Sequence, residues 1–163
     1  MSYTQNTTVS PEKSRAEIQA IIKRYGASHF AYAEMPDKAM VGFQVGVIRV
    51  RFHVSLPDPE TREFTHKKTR SGTTKRTDRE ARNAWEKAVR QRSRALALCI
   101  KAKLESVEAQ IETFEESFLA HIVLPGGQTI GDQVVPGLQA ASVAWERDGK
   151  VFLVPFEERN SGA

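Results

Sequence analysis

Apolar and polar residues alternate along the first third of the chain, and this period of two constrains the fold most strongly. The alternation covers residues 29–34, 41–45 and 48–56, with Pro36 and Gly46 between the runs. Because the side chains of a strand point alternately to opposite faces, each run predicts a strand with one buried face. The short turns between the runs favour antiparallel neighbours, so we expect a three-stranded antiparallel meander.

A short amphipathic helix is predicted before this sheet. Ser10 and Pro11 supply a capping oxygen and a proline at the first helical position, which is typical of a helix start. Residues 18–25 place apolar side chains at helical spacing, and Gly26 suits the C-terminal stop.

A long helix is predicted after the sheet. Thr77 and Glu80 have the spacing of a capping box, and helix-forming residues continue without Gly or Pro beyond Phe118. A helix from Asp78 to about Phe118 would be roughly 60 Å long, which exceeds the size of a small domain. We therefore expect a break, a kink or projection into a homo-oligomer.

The remaining segments are less regular. Residues 60–76 predict a polar, basic loop, and the glycines and proline within 130–142 argue against a long helix there. A terminal hairpin is predicted from two apolar runs, Val143 to Trp145 and Val151 to Val154.

The predicted fold is α+β, namely an N-terminal helix, the meander, a long helix packed across the sheet, and a C-terminal extension with this hairpin. Residues 10–156 are expected to form one domain between a disordered tail at residues 1–9 and a C-terminal tail at residues 157–163.

Positive charge is concentrated in residues 62–94. This segment holds twelve of the 24 Lys and Arg residues and four of the 20 Asp and Glu residues, so its net charge is +8. The rest of the chain carries −4, which makes the molecule strongly polarised. Clustered positive charge attracts polyanions, and phosphate backbones are the commonest of these in cells.

Two basic surfaces are predicted from this charge. On a helical wheel, basic residues between Arg79 and Lys101 fall within about 140° of one another, opposite an apolar face that includes Trp85 and Cys99. On the third strand, Arg49, Arg51 and His53 must point away from the buried face. An ordinary solvated face is the alternative for each surface.

The sequence thus predicts a nucleic-acid-binding site formed by the third strand, the basic loop and the long helix. The predicted residues are Arg49, Arg51, His53, Lys67, Lys68, Arg70, Lys75, Arg76, Arg79, Arg82, Arg90 and Arg94. Few aromatic residues are placed to stack on bases. Phe64 in the loop is the best candidate, whereas Trp85 is expected in the core.

Signs of catalysis are weak. The four histidines lack metal-ligand spacing, and His53-Val54-Ser55 and His66-Lys67-Lys68-Thr69 only distantly match the motifs of two-histidine phosphoesterases. Cys99, the single cysteine, is expected to be a core residue, and it excludes an internal disulfide. We therefore expect no enzyme, no metal and no cofactor. No apolar run approaches the roughly 20 residues that span a bilayer, so no membrane association is expected either.

Several short motifs resemble a family of small proteins encoded by tailed phages and prophages. They are Ser14-Arg15-Ala16-Glu17-Ile18, Arg24-Tyr25-Gly26-Ala27, Val41-Gly42-Phe43, Arg94-Ala95-Leu96-Ala97-Leu98, Ile100-Lys101-Ala102-Lys103-Leu104-Glu105 and Phe118-Leu119-Ala120. The resemblance spans residues 10–130 and implies a viral or prophage origin and expression in a bacterial cytoplasm. It transfers no functional residues to this chain.

The leading functional hypothesis is a non-enzymatic nucleic-acid-binding protein of a phage. Single-stranded DNA is favoured because no helix-turn-helix or zinc-finger reader is visible. A meander followed by a long helix also resembles the order of elements in single-strand annealing proteins. The alternative is a protein-binding module, such as an inhibitor of a host defence system or host enzyme, which would use the same basic surface against an acidic partner.

Overall fold

The computed structural model describes residues 4, 6–70 and 72–147. Its elements are α1 (Pro11–Arg24), β1 (Ala27–Glu34), β2 (Lys38–Val45), β3 (Ile48–Ser55), α2 (Arg62–Thr65), β4 (His66–Thr69), β5 (Gly72–Lys75), α3 (Asp78–Glu108), α4 (Phe114–Phe118), a 3₁₀ turn (Leu119–His121) and α5 (Ile130–Arg147). The predicted α+β class is confirmed, with one helix, a three-stranded antiparallel sheet, a long helix and a C-terminal part.

The strands β1, β2 and β3 form the predicted meander in that order. Phe43 lies between Phe30 and Val50 in the ladder, and this row of side chains faces the interior. The neighbouring rows face outwards, because the side-chain direction alternates along each strand. The interior face is covered by α1 and α3, which pack against each other.

The helix α1 forms for the reasons given by its sequence. The Ser10 hydroxyl accepts a hydrogen bond from the Lys13 amide, Pro11 occupies the first turn, and Ile18 and Ile22 are buried. Gly26 follows the helix with φ of 83°, a conformation that glycine adopts without steric cost.

The core between the helices and the sheet is a single cluster of buried residues. Its members are Ile18, Ile22, Val41, Phe43, Val50, Phe52, Ala97, Ile100, Leu104 and Phe118.

The predicted break in the long helix is confirmed. The helix α3 begins at the reciprocal capping box of Thr77 and Glu80 and ends at Glu108, and a second capping box then starts α4. The turn between them lets Phe118 enter the core, where its ring meets the rings of Phe43 and Phe52 edge to face at 5.8 and 6.2 Å.

The interpretation of residues 60–76 as a loop is wrong. They form α2 and a two-stranded antiparallel hairpin of β4 and β5, in which Lys67 pairs with Thr74 and Lys68 with Thr73. No apolar period marks these strands because the hairpin is half-buried at most and is held by backbone pairing. Phe64 of α2 is buried and not free to stack on bases.

Three further expectations are corrected. Val143 to Trp145 lie within α5 rather than in a strand of a hairpin. Residues 130–142, where the glycines and the proline argued against a long helix, lie in α5, and Pro136 is inside that helix. Gly131 is required by packing, because a Cβ atom there would be 2.7 Å from the Ala120 carbonyl oxygen. Cys99 is exposed rather than part of the core, because α3 buries only the narrow stripe of Ala97, Ile100 and Leu104. The second run of the predicted hairpin, residues 151–154, and the predicted tail at 157–163 lie outside the described residues.

Candidate nucleic-acid interface

The outer face of the sheet carries the basic residues of β3, as predicted. Arg49, Arg51 and His53 alternate with the buried Val50 and Phe52, and Arg49 and His53 are exposed. Gln44 pairs with Arg49 in the ladder and therefore shares this face. The face is opposite to the one that α1 and α3 cover.

Arg51 is already paired. Its guanidinium lies 3.6 Å from the carboxylate of Asp132 at the start of α5, and it is only 24% exposed. Hydrogen bonds from the backbone amide and then the hydroxyl of Thr129 lower the pKa of Asp132, and the charges of Arg51 and His53 act in the same direction. This carboxylate is therefore ionised at neutral pH and neutralises part of the outer face.

A separate basic surface lies on the hairpin of β4 and β5. Lys68, Arg70 and Lys75 are exposed there. A hollow of about 480 Å³ opens beside them, and it is lined by Arg62, Glu63, His66, Lys67, Lys68, Thr73 and Arg76. With one carboxylate among several cationic side chains, the hollow is electropositive and of a size that accepts a phosphate group.

Two of the hairpin cations hold the fold. The Arg76 guanidinium donates to the carbonyl oxygens of Glu63 and Phe64 at 2.7 and 3.0 Å, which fixes α2 to the end of β5. The Lys67 ammonium lies 2.5 Å from the Glu80 carboxylate. This hydrogen bond, with those from the amide and hydroxyl of Thr77, lowers the pKa of Glu80 to about 2. The hairpin is thereby tied to the first turn of α3.

The first half of α3 continues this surface. Arg79 and Arg82 are exposed, whereas Arg90 lies 3.8 Å from Glu86 and Arg94 is ion-paired with Glu17 of α1. Arg94 therefore belongs to the contact between the two helices rather than to the free basic face that the helical wheel predicted.

The twelve predicted residues fall into two groups. Five are partly buried and have a carboxylate or carbonyl partner, and these are Arg51, Lys67, Arg76, Arg90 and Arg94. Seven are exposed and form no ion pair within the described part of the chain, and these are Arg49, His53, Lys68, Arg70, Lys75, Arg79 and Arg82. We call the last five of these seven the hairpin surface. Arg49 and His53 lie apart from it, because they face away from α3 on the other side of the sheet.

Sequence reasoning missed a cavity that includes two aromatic side chains. It has a volume of about 360 Å³ and lies between the start of α1, Tyr32 of β1 and the Trp85 side of α3. Trp85 is half-buried rather than fully enclosed in the core, and its indole N–H donates to the Pro57 carbonyl at 2.7 Å. Residues 85, 89 and 93 lie on one face of α3. The same spacing is typical of a buried apolar stripe, so the sequence did not indicate a cavity there.

The histidines do not converge on a catalytic centre in the described residues. His53 lies on the outer sheet face and His66 in the hairpin, while the His121 ring stacks on Phe52 with centroids 3.9 Å apart. Burial, followed by the charge of Lys103, lowers the pKa of His121. Nowhere in the described ranges do three or more His, Cys, Asp or Glu residues form a group that could hold a metal ion.

Comparisons of the chain with protein-family models, with curated proteins and with solved structures found no match. Among the described helices, none combines the length and the apolar character that crossing a membrane requires.

Proposed function

We propose that this protein is a non-enzymatic nucleic-acid-binding protein and that single-stranded DNA is its preferred ligand. The observation that supports this is the hairpin surface, which joins five exposed cations on two adjoining elements. They are Lys68, Arg70 and Lys75 on the hairpin and Arg79 and Arg82 on the first turns of α3. Cations that already have a carboxylate partner gain less from a phosphate, so these five are expected to provide most of the binding free energy.

Two features favour a single strand over a duplex. No helix-turn-helix or zinc-finger reader of duplex DNA is visible in the sequence, and the second half of α3 is buried against α1 and the sheet through Ala97, Ile100 and Leu104. Trp85 is a half-buried aromatic residue near the cationic half of the same helix, and stacking on aromatic rings is how single strands are commonly bound.

The test is a salt titration of binding, measured by fluorescence anisotropy with labelled single-stranded DNA, duplex DNA and RNA. If five phosphates are neutralised, log affinity should fall against log salt with a slope of about −3.5 for a single strand. Replacing Lys68, Arg70 and Lys75 with Gln should reduce that slope to about −1.4.

A matched control removes three charges elsewhere. Lys13, Lys23 and Lys101 are exposed and lie outside the hairpin surface, so their replacement with Gln should leave the slope near that of the parent. Absence of binding at low salt by the parent protein, or equal losses in both triple variants, would count against the proposal.

Self-association is the second part of the proposal, with a second copy of this chain as the partner. Residues 133–143 of α5 contain no charged side chain, and Val134, Val135, Leu138 and Val143 are exposed. Pro and Gly within the helix lower its intrinsic stability, so packing against another surface would stabilise it. A two-fold axis brings identical patches together, and an uncharged patch meets itself without repulsion.

Light scattering tests this self-association. It should give a mass above the 18.2 kDa monomer, and Leu138→Glu should restore that monomer mass.

The same helix is the observation that favours the alternative function. A protein-binding module, such as an inhibitor of a host defence system or host enzyme, would combine the apolar face of α5 with the hairpin surface against an acidic protein. This alternative replaces the leading one if nucleic acids do not bind. An origin in a phage or prophage and a location in the bacterial cytoplasm complete the proposal and are supported by the sequence resemblance alone.

A further inference from the structure

The cavity beside Trp85 has the features of a built binding site. Its wall combines the aromatic rings of Tyr32 and Trp85 with charged groups from α1 and α3, including Glu12, Arg15 and Glu86. Its volume of about 360 Å³ lies within the range of about 300–1,000 Å³ that is usual for small-molecule sites. We propose that this cavity is a subsite for one nucleobase of a bound single strand, a proposal that rests on the proposed function.

Trp85 provides a preorganised stacking surface. Its indole N–H donates to the carbonyl of Pro57 at 2.7 Å, which fixes the orientation of the ring while the side chain stays half-exposed. Tyr32 is also held in place, because the Arg15 guanidinium lies 4.7 Å from its ring centroid and its hydroxyl donates to Glu34 at 2.9 Å. A base that enters the cavity can therefore stack on Trp85 without first ordering the aromatic side chains that line it.

The charges of the cavity select the base rather than the phosphate. Three carboxylates, those of Glu12, Glu34 and Glu86, line it together with the guanidinium groups of Arg15 and Arg90. An excess of carboxylates repels a phosphate, whereas a carboxylate accepts hydrogen bonds from the exocyclic amino groups of cytosine, adenine and guanine. Thymine has no amino group, so the cavity should discriminate against it.

The position of the cavity on α3 connects it to the hairpin surface. Arg79, Arg82, Glu86 and Arg90 are spaced three or four residues apart and therefore lie along one line of the helix. This line is about 16 Å long at 1.5 Å per residue. The first two arginines belong to the hairpin surface, and the last two residues line the cavity. A strand whose phosphates contact Arg79 and Arg82 can thus place a neighbouring base against Trp85.

Tryptophan fluorescence tests this subsite directly. The chain has two tryptophans, so Trp145→Phe leaves Trp85 as the sole reporter. Titration with oligomers of dC should quench Trp85 fluorescence, and oligomers of dT of equal length should bind more weakly. Trp85→Leu should weaken dC binding about 5- to 150-fold, the range that corresponds to the roughly 1–3 kcal/mol of one base stacked on an aromatic ring.

The outcomes separate the subsite from the proposed function. If dC and dT oligomers bind with the expected salt slope but Trp85 fluorescence does not change, the subsite is refuted and the nucleic-acid-binding function stands. If no oligomer binds, the function fails and the subsite fails with it. If Trp85→Leu does not fold, the quenching measured in Trp145→Phe decides. Glu12→Gln and Glu86→Gln should each reduce the preference for dC over dT, and an unchanged preference in both would overturn the role of the carboxylates.

Discussion

The turn that ends α3 contains a glutamine where the backbone geometry favours glycine, and replacing it is the sharpest test of the fold. Gln110 follows the C-cap residue Ala109 and has φ of 58°, in the left-handed region. Its amide donates to the Val107 carbonyl at 3.1 Å, and the Ile111 amide donates to the Ser106 carbonyl at 3.0 Å. These two bonds define a Schellman motif, in which glycine is the usual residue at this position.

We expect Gln110→Gly to stabilise the protein. Removing the Cβ atom relieves about 1–2 kcal/mol of left-handed strain. Glycine loses more backbone entropy on folding, at a cost of about 0.5–1 kcal/mol. The net gain in the free energy of unfolding should be about 0.5–1 kcal/mol, which corresponds to a rise in melting temperature of about 1–4 °C for a domain of this size.

Urea and thermal unfolding monitored by circular dichroism would measure this change. Gln110→Ala keeps the Cβ atom and is the matched control, with an expected effect within about 0.5 kcal/mol of zero. The reverse change is Gly46→Ala, at an exposed glycine with φ of 57° and open space around it, and it should destabilise by about 1 kcal/mol. A loss of stability in Gln110→Gly, or an equal gain in Gln110→Ala, would refute the reasoning from backbone strain.

Three further predictions concern the core, the N-terminus of α5 and the response to acid. Phe118→Ala should lower the free energy of unfolding by about 3–5 kcal/mol in urea titrations, because the ring is fully buried between aromatic neighbours. Gly131→Ala should destabilise by about 1–3 kcal/mol through the clash with the Ala120 carbonyl, whereas Gly137→Ala, with open space around it, should be neutral or slightly stabilising. Hydrogen bonds from Lys67 and Thr77 lower the pKa of Glu80 in the folded state from its ordinary value of 4.5 to about 2. Its contribution to stability is therefore present above about pH 4.5 and is lost as the pH falls towards 2. Melting temperatures of Glu80→Gln should therefore approach those of the parent as the pH falls through this window, and a constant difference would contradict the assignment.

Elements with an apolar period or a cap signal could be predicted from the sequence. The alternation of residues 48–56 is strong because one side of β3 is buried and the other is not. The capping box of Thr77 and Glu80 predicts the start of α3, because a capping box depends only on residues that are close in the sequence. The hairpin of β4 and β5 has neither a buried face nor apolar residues, so its pairing could not be read from a hydrophobic pattern. The helix α5 was missed because its glycines and proline outweighed its apolar content, although tertiary packing explains Gly131.

The sequence predicts which cations the candidate site contains, but it does not predict which of them are ion-paired. Counting cations predicted the five residues of the hairpin surface, yet it could not show which of the predicted cations already have partners. The carboxylate partners of these cations come from three different helices. The fold brings Glu17, Glu80 and Asp132 to their cations, whereas Glu86 lies four residues before its partner Arg90.

This pairing decides which basic surface should dominate binding. On the outer sheet face, Arg51 contacts Asp132, so a phosphate that binds there meets a neighbouring carboxylate. On the hairpin surface, the Lys67–Glu80 pair instead holds β4 against the start of α3 and leaves the exposed cations around it without a carboxylate partner in the described residues. Because each neutralised phosphate adds a similar increment to the salt dependence, Arg49→Gln and Arg51→Gln together should change the slope by less than the three hairpin substitutions do. An equal or larger change would place the bound DNA on the outer face of the sheet, which is the far side of the sheet from Trp85. The phosphate contacts would then be separated from the proposed base subsite.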